Sequence, residues 1–416
     1  MPKRWLLAAA VSLALGSSCT RLNRNFCDAA PHNNCGLLDG SRGDVDAAGD
    51  GGDGRDASEA PADLTEAAGD LRGDADSKRD CDSNTQCTLG AKPICDVMRG
   101  VCVPCVSDSQ CVTKLGEAEP GICVDGTCPQ RTEVIVVNIA MGCSDAQGGT
   151  PEVPLCDMKM AQDRLARTDE QRRIVVVRGA DQQGWSLTVT HGRVVVIGQP
   201  VAKVTIASQA GISLVGVDVA LRRLDVNGSG AAFPGINIGV GTTADLQEIT
   251  VRGSTVTGVQ ASMAKSVRLN RVLLTGNGIG LKLAQTPFSV TNTIIAGSTV
   301  TGAVLDATGG PTPKFQNNTL VNNMVPLMCS ANHTVSALLV YPEPAAGLAS
   351  SGCFVRNSNT QLPNFSTADA SKPYHLTAAS PCKGMGDPDG FPMDDYDGET
   401  RPMGGASDCG ADELTE

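Results

Sequence analysis

Aromatic residues form only 3% of the 416-residue chain, 2 Trp, 3 Tyr and 7 Phe, and His occurs 4 times. Past the first residues Trp185 is the one tryptophan, so few flat rings are on hand for the stacking platforms that sugars and nucleic-acid bases favour. His191 and His375 stand singly and read more simply as surface or turn residues than as general bases. Carboxylates are thin along the apolar repeats, where Asp218, Asp225, Asp245, Glu248 and Asp306 show no spacing that would stack two as a glycosidase pair. No nucleic-acid-binding motif is present, so no nucleic-acid partner is expected. The apolar run from Trp5 to Leu15 is too short to span a membrane as a helix.

What the chain does have is repetition. Between 246 and 323 short runs of Val, Ile and Leu alternate with Gly, Asn and Ser, and Glu248, Asn270, Asn292 and Asn318 each precede an apolar pair. By subtraction of their numbers the spacings are 22, 22 and 26. A period of this size marks a solenoid, whose single coils cannot bury an apolar face alone. Runs of three to five residues are too short for helices, and Gly276, Gly278, Gly297 and Gly302 are expected at the bends. The same strand-like character begins at 133 (EVIVVNIAMGC) and continues through RIVVVRG, SLTVTHG, RVVVIGQ, KVTIAS and ISLVGVDV. Over roughly 172–380 these rungs resemble the right-handed parallel β-helix proteins of the pectin-lyase-like group. The resemblance implies a stack of Asn at a tight turn, matched by Asn270, Asn292 and Asn318 but not by Glu248. Enzymes of that group use clustered carboxylates, sometimes with Ca²⁺, or an Arg or Lys base, and none of their local motifs is found here.

The N-terminus has a basic start (Lys3, Arg4), an apolar run and small residues before Cys19, as in a secretory signal over 1–19. Gly16-Ser17-Ser18-Cys19 resembles a bacterial lipobox, with Gly16 where that family prefers Leu; cleavage after Ala14-Leu15-Gly16 is the rival reading. Lipidating Cys19 leaves 16 of the 17 cysteines for disulfides, and the lipid implies a membrane partner and an outer-membrane or cell-surface location. Residues 20–80 form an acidic stretch, rich in Asp, Ala and Gly from 36 on, that reads as a disordered tether; chance accounts for its two Arg-Gly-Asp triplets. Cys27 and Cys35 could pair ahead of it.

Residues 81–128 hold two copies of one cysteine pattern: Cys81, Cys87, Cys95 and Cys102, then Cys105, Cys111, Cys123 and Cys128. In an exported chain this is a disulfide framework for a unit with little core of its own. Cys102 and Cys105 have metal-ligand spacing, which raises zinc as the alternative. The pattern resembles Cys-rich repeats of exported myxobacterial proteins. The β-helix is assigned to 133–416. Cys143 and Cys156 bracket a Gly/Pro loop and are expected to pair, and Cys329, Cys353, Cys382 and Cys409 are also assigned to disulfides with partners left open. Leu155, Met158, Met160, Ala161 and Leu165 have helical spacing and predict a helix that plugs the first coil. Residues 221–240 break the period and are expected to form a side loop.

The end of the chain resembles the C-terminal region of β-helix surface proteins of the choice-of-anchor Q type. The residues that match are Tyr374, His375, Leu376, Ser380 and Pro381; then Asp395, Asp397, Gly398, Arg401 and Pro402; then Asp408, Gly410, Ala411 and Glu413. Within this end Asp387, Asp389, Asp395 and Asp397 are the candidate ligands for Ca²⁺, against a plainer reading as turn caps. No other cofactor is expected. The formal net charge is −12, yet basic residues exceed acidic ones between 159 and 282. Arg252, Arg268, Arg271 and Lys282 are therefore the candidate contacts for an anionic polysaccharide. The whole reads as an all-β chain: a right-handed parallel β-helix with an N-terminal capping helix, a small disulfide-rich module and a tether. Its expected function is surface binding or structural presentation, with a carbohydrate-active enzyme as the alternative.

Overall fold

The computed structural model describes residues 81–414 apart from 82, 84–85, 88–91, 100, 116–120, 139–141, 147, 179–181, 189–191, 206–210, 229, 307–312, 331–332, 345–346, 349–351, 367–373 and 389. The signal segment, Cys19, Cys27, Cys35, the tether, His191 and Asp389 lie outside the described residues.

Short β-branched runs pair in parallel, coil upon coil, to give an all-β parallel β-helix. One face is a 7-stranded parallel sheet built from Trp185–Leu187, Ile212–Leu214, Ile236–Ile238, Thr257–Ser262, Ile279–Ala284, Thr301–Asp306 and Leu327–Cys329. Its register stacks Trp185, Ile212, Ile236, Val259, Leu281, Ala303 and Leu327 in one inward column, all of them buried. Neighbours in sequence point outward because the side-chain period is two: Ser186, Ser213, Asn237, Gln260 and Lys282 form the matching outer column. The other two faces belong to one larger sheet. Arg193–Thr205, Asp218–Asn227 and Thr243–Arg252 each run across both of them; later coils divide, as Ser266–Asn270 and Leu273–Thr275 do.

The bend between those two faces is a column of residues with left-handed backbone: Arg223, Glu248, Arg271, Asn292, Asn317, Ala337 and Asn357. This corrects the expected Asn stack. Asn292 alone is at the corner; Asn270 precedes Arg271, and Asn318 follows Asn317 and turns inward. The coils differ in length, so matching asparagines by a fixed period lands one residue off. Asn270 still meets its neighbour, since Asn292 Nδ2 donates to Asn270 Oδ1 (3.0 Å). At another corner Asn277 and Asn323 are buried and bridge coils. Asn277 Oδ1 accepts from the Ser254 N–H (3.0 Å) and Asn323 Oδ1 from the Ser298 N–H (2.9 Å), while each amide nitrogen donates to a carbonyl. Of the expected bends, Gly276 and Gly297 have positive φ. Gly278 and Gly302 do not; they are small because a Cβ would meet the Thr255 and Pro326 oxygens at 2.2 and 2.4 Å.

The predicted plug is the helix Met158–Leu165, started by Asp157, whose side chain accepts from the Met160 N–H (2.9 Å). Met158, Ala161 and Leu165 join Leu155 in the main core at the first coils. The expected loop at 221–240 is not there. Residues 221–227 continue the strand Asp218–Asn227, and Ile236–Ile238 is a regular rung. The adjacent charges Arg222 and Arg223 disguise a corner, with Leu221 and Leu224 pointing inward on either side.

Two elements clad the solenoid from outside. In the Cys-rich module the bridges are Cys81–Cys95 and Cys87–Cys102, then Cys105–Cys123 and Cys111–Cys128, so both copies join first to third and second to fourth. Ile122 and Val124 of the second copy pack on outward-facing Val134, Val136, Val176, Val195, Ile197 and Ala220. Cys143–Cys156, Cys329–Cys353 and Cys382–Cys409 close the remaining described bridges. The C-terminal segment runs back along the outside as a strap. Asn317 Nδ2 donates to the Asp408 carbonyl (3.1 Å), Asn292 Nδ2 to that of Asp394 (2.8 Å), and Arg271 Nε to that of Tyr396 (3.0 Å). Ala411 and Tyr396 cover Ile294, Ala296 and Leu273.

Candidate functional site: a charged cleft at the clad corner

The module holds the corner column at one end and the strap holds it at the other, and between them lies a cleft of about 430 Å³. Its charged lining is Asp108 and Asp125 from the module and Arg222, Arg223, Glu248 and Arg271 from three successive coils. Under the strap the column includes Asn292 and Asn317, a residue type that enters left-handed backbone readily, together with Ala337. In the cleft it uses Arg, Glu and Arg, each in a conformation that costs about 1–2 kcal/mol for an ordinary residue. That backbone turns the three side chains outward into one space.

The charges are matched. Arg223 Nη1 contacts Asp108 Oδ2, and Asp108 Oδ1 is fixed by the Cys123 N–H (2.8 Å). Arg222 Nη2 lies 2.6 Å from Asp245 Oδ2 and 3.9 Å from Asp125 Oδ1. Arg193 joins the same two carboxylates, Asp125 at 3.2 Å and Asp245 at 3.5 Å. Arg271 lies 3.2 Å from Glu248 and 3.9 Å from Asp394. Arg223 Nη2 is buried and has no hydrogen-bond partner among the described residues.

The four cations singled out in the sequence are not brought together. Arg271 is in the cleft. Arg252 lies on the next face, bound to Asp225 (2.6 Å); Arg268 is exposed on the face before the corner; Lys282 belongs to the 7-stranded sheet. These four form no single basic stripe along one face, because they fall on different sides of a coil. The described members of the Ca²⁺ set, Asp387, Asp395 and Asp397, form no metal-ligating group with one another among the described residues. Asp395 is buried and its oxygens accept from the N–H groups of Asp397, Glu399 and Glu413 at 2.9, 2.7 and 3.0 Å, the turn-capping role. Asp387 is partly exposed, and Asp397 faces His375. The cysteines with zinc-like spacing are separated, Cys102 to Cys87 and Cys105 to Cys123.

The terminal motifs instead form a polar lock. Arg401 and Glu413 are both fully buried and 2.7 Å apart; Arg401 also donates to the carbonyls of Asp408 (3.2 Å) and Gly410 (3.0 Å). Glu413 accepts from the N–H groups of Asp408 and Met403, both at 2.9 Å. His375 lies between Asp397 and Asp412. Burial pushes the Asp412 carboxyl up to about 8, reinforced by the charges of Asp395 and Asp397 and opposed by the Leu376 N–H. Asp108, Asp125 and Asp412 were not singled out from sequence; the Arg222-Arg223 pair inside an apolar alternation was the available pointer to the cleft.

No protein-family model matches the chain, and no curated protein matches it. Among solved structures, the crystal structure of pectate lyase Pel9A aligns at 12% identity with a TM-score of 0.39, covering 68% of this chain and 99% of that one. At that level the likeness assigns no activity. The class is defined by the strand register itself: a parallel β-helix with a disulfide-rich N-terminal module.

Proposed function

We propose that this chain is an exported, lipid-anchored surface protein whose β-helix binds an acidic polysaccharide in the corner cleft without cutting it. The observation that carries the reading is the convergence of Arg222, Arg223 and Arg271 on one cleft, with a buried guanidinium nitrogen of Arg223 that has no hydrogen-bond partner among the described residues. Ligand carboxylates would share or replace Asp108, Asp125 and Glu248, so the gain per contact is small and the affinity low. The lipobox-like segment at Cys19 and the density of disulfides support export. Cleavage has less support, because the carboxylates of the cleft each face an arginine and none is placed as a free acid or base.

The test is a panel of acidic and neutral glycans presented to the purified full chain, following retention and chain cleavage together. Binding to acidic glycans should weaken as salt rises, since exposed charges are screened beyond ~8–10 Å near physiological ionic strength. Reversal of charge at Arg222 and Arg271 together should weaken it further, and reversal at Arg268, outside the cleft, should not. Absence of salt-sensitive binding refutes the reading; release of oligosaccharides moves the protein to the enzyme class.

A further inference from the structure

The strap meets the segment Tyr374–Leu376 at a cluster distinct from the cleft. His375, Asp397 and Asp412 each present one donor atom, and these atoms lie within 4.8 Å of one another. His375 Nδ1 is 3.6 Å from Asp412 Oδ1, and His375 Nε2 contacts Asp397 Oδ2. The side chain of Asp412 is only 5% exposed, and its Oδ1 has no hydrogen-bond partner among the described residues. His375 Nε2 is likewise buried without a hydrogen bond of its own. A buried carboxyl oxygen left in this state is expensive unless the group takes up a proton or something supplies positive charge.

One of the two carboxylates is also held from behind, and the backbone of the other is pinned. The other oxygen of Asp412 accepts from the Leu376 N–H (2.7 Å), which aims Oδ1 at the histidine. The backbone N–H of Asp397 is fixed by Asp395 Oδ1 (2.9 Å). Outer partners that orient the donors are the usual companions of a metal site. One imidazole nitrogen with two carboxylate oxygens is a mixed donor set that suits Zn²⁺ and its neighbours. Ca²⁺ requires six to eight oxygens, which this cluster does not offer.

We propose that His375, Asp397 and Asp412 form a binding site for a divalent transition-metal ion of the Zn²⁺ type. The ion fastens the strap to the segment before it. His375 and Asp397 are about one-fifth exposed (20% and 18%), so solvent reaches the cluster and can complete the coordination. Sequence separation hid the site, because its three members come from three different motifs of the terminal region.

The experiment strips the full oxidised chain with chelator and titrates Zn²⁺ against a chromophoric competitor. One ion per chain is expected. His375→Gln and Asp412→Asn should each weaken binding at least ~10-fold, and Asp387→Asn should leave it unchanged. Should either variant fail to fold, Co²⁺ added to the unmutated protein decides the matter. A d–d band without a thiolate charge-transfer band supports the site; no band, or one with thiolate character, overturns it. Absence of Zn²⁺ binding by the parent, or variants that bind as tightly as the parent, also overturns it. That result would leave His375 held between Asp397 and Asp412 alone. Glycan binding at the cleft is scored separately and does not depend on the outcome.

Discussion

Replacing Arg401 by Met tests whether the strap is held by its polar lock or merely by its disulfide. Arg401 and Glu413 have no exposed side-chain surface, and the guanidinium also satisfies two carbonyls. Met fills a similar volume but leaves Glu413 charged and buried, a situation that costs about 3–5 kcal/mol. The loss is local. The coils keep their own core, and Cys382–Cys409 still tethers the segment, so the main thermal transition should move little. Hydrogen exchange reads the effect directly. The Gly410 and Ala411 amides donate to the Ala337 carbonyl and the Thr319 hydroxyl (2.8 and 2.9 Å). At a factor of ten per 1.4 kcal/mol, their exchange should accelerate by roughly two to nearly four orders of magnitude. The double change Arg401→Met with Glu413→Leu should recover a large part of the loss, because it removes the orphaned charge. Unchanged exchange in the single variant, or a double variant no better than it, would refute the reasoning.

Gly278→Ala should destabilise the solenoid by about 1–3 kcal/mol or prevent folding, since its Cβ would meet the Thr255 oxygen at 2.2 Å. Gly276→Ala, in open space but at φ +62, should cost about 1 kcal/mol; denaturant unfolding of the two variants gives the comparison. Cys19→Ala should move the protein from the membrane to the soluble fraction, and a variant that fractionates like its parent disproves the anchor.

The inner columns were legible because a coil must bury one side of every rung, which forces Val, Ile and Leu into a visible rhythm. The plug helix was legible for the same reason, with Met158, Ala161 and Leu165 at helical spacing. The corner was not. Left-handed backbone is imposed there by the ladders on both sides, so Arg223, Glu248, Arg271 and Ala337 serve as well as Asn, and residue type gives no alignment. The cladding was hidden too, because outward Val195 and Ile197 look like core residues in any sequence. Arg223 and Asp108, which close the cleft, are 115 residues apart. Contacts that distant leave no periodic trace, and the cations were grouped by number where the structure separates them by face.

The strap also sets an order of events. A chain that emerges N-terminus first can stack each coil on the one before it as soon as the coil is made, for those contacts are close in sequence. The corner residues cannot be finished in that way. Arg271 waits for Tyr396, 125 residues later, and Asn292 for Asp394, 102 residues later. The solenoid is thus assembled with an open seam that closes only after the last motif arrives. A truncation before 390 would leave stacked coils with Leu273, Ile294 and Ala296 bared, an apolar strip along one edge that other chains could cover. The strap acts as a seal on the seam: only a chain that carries Tyr396 and Ala411 can hide that strip.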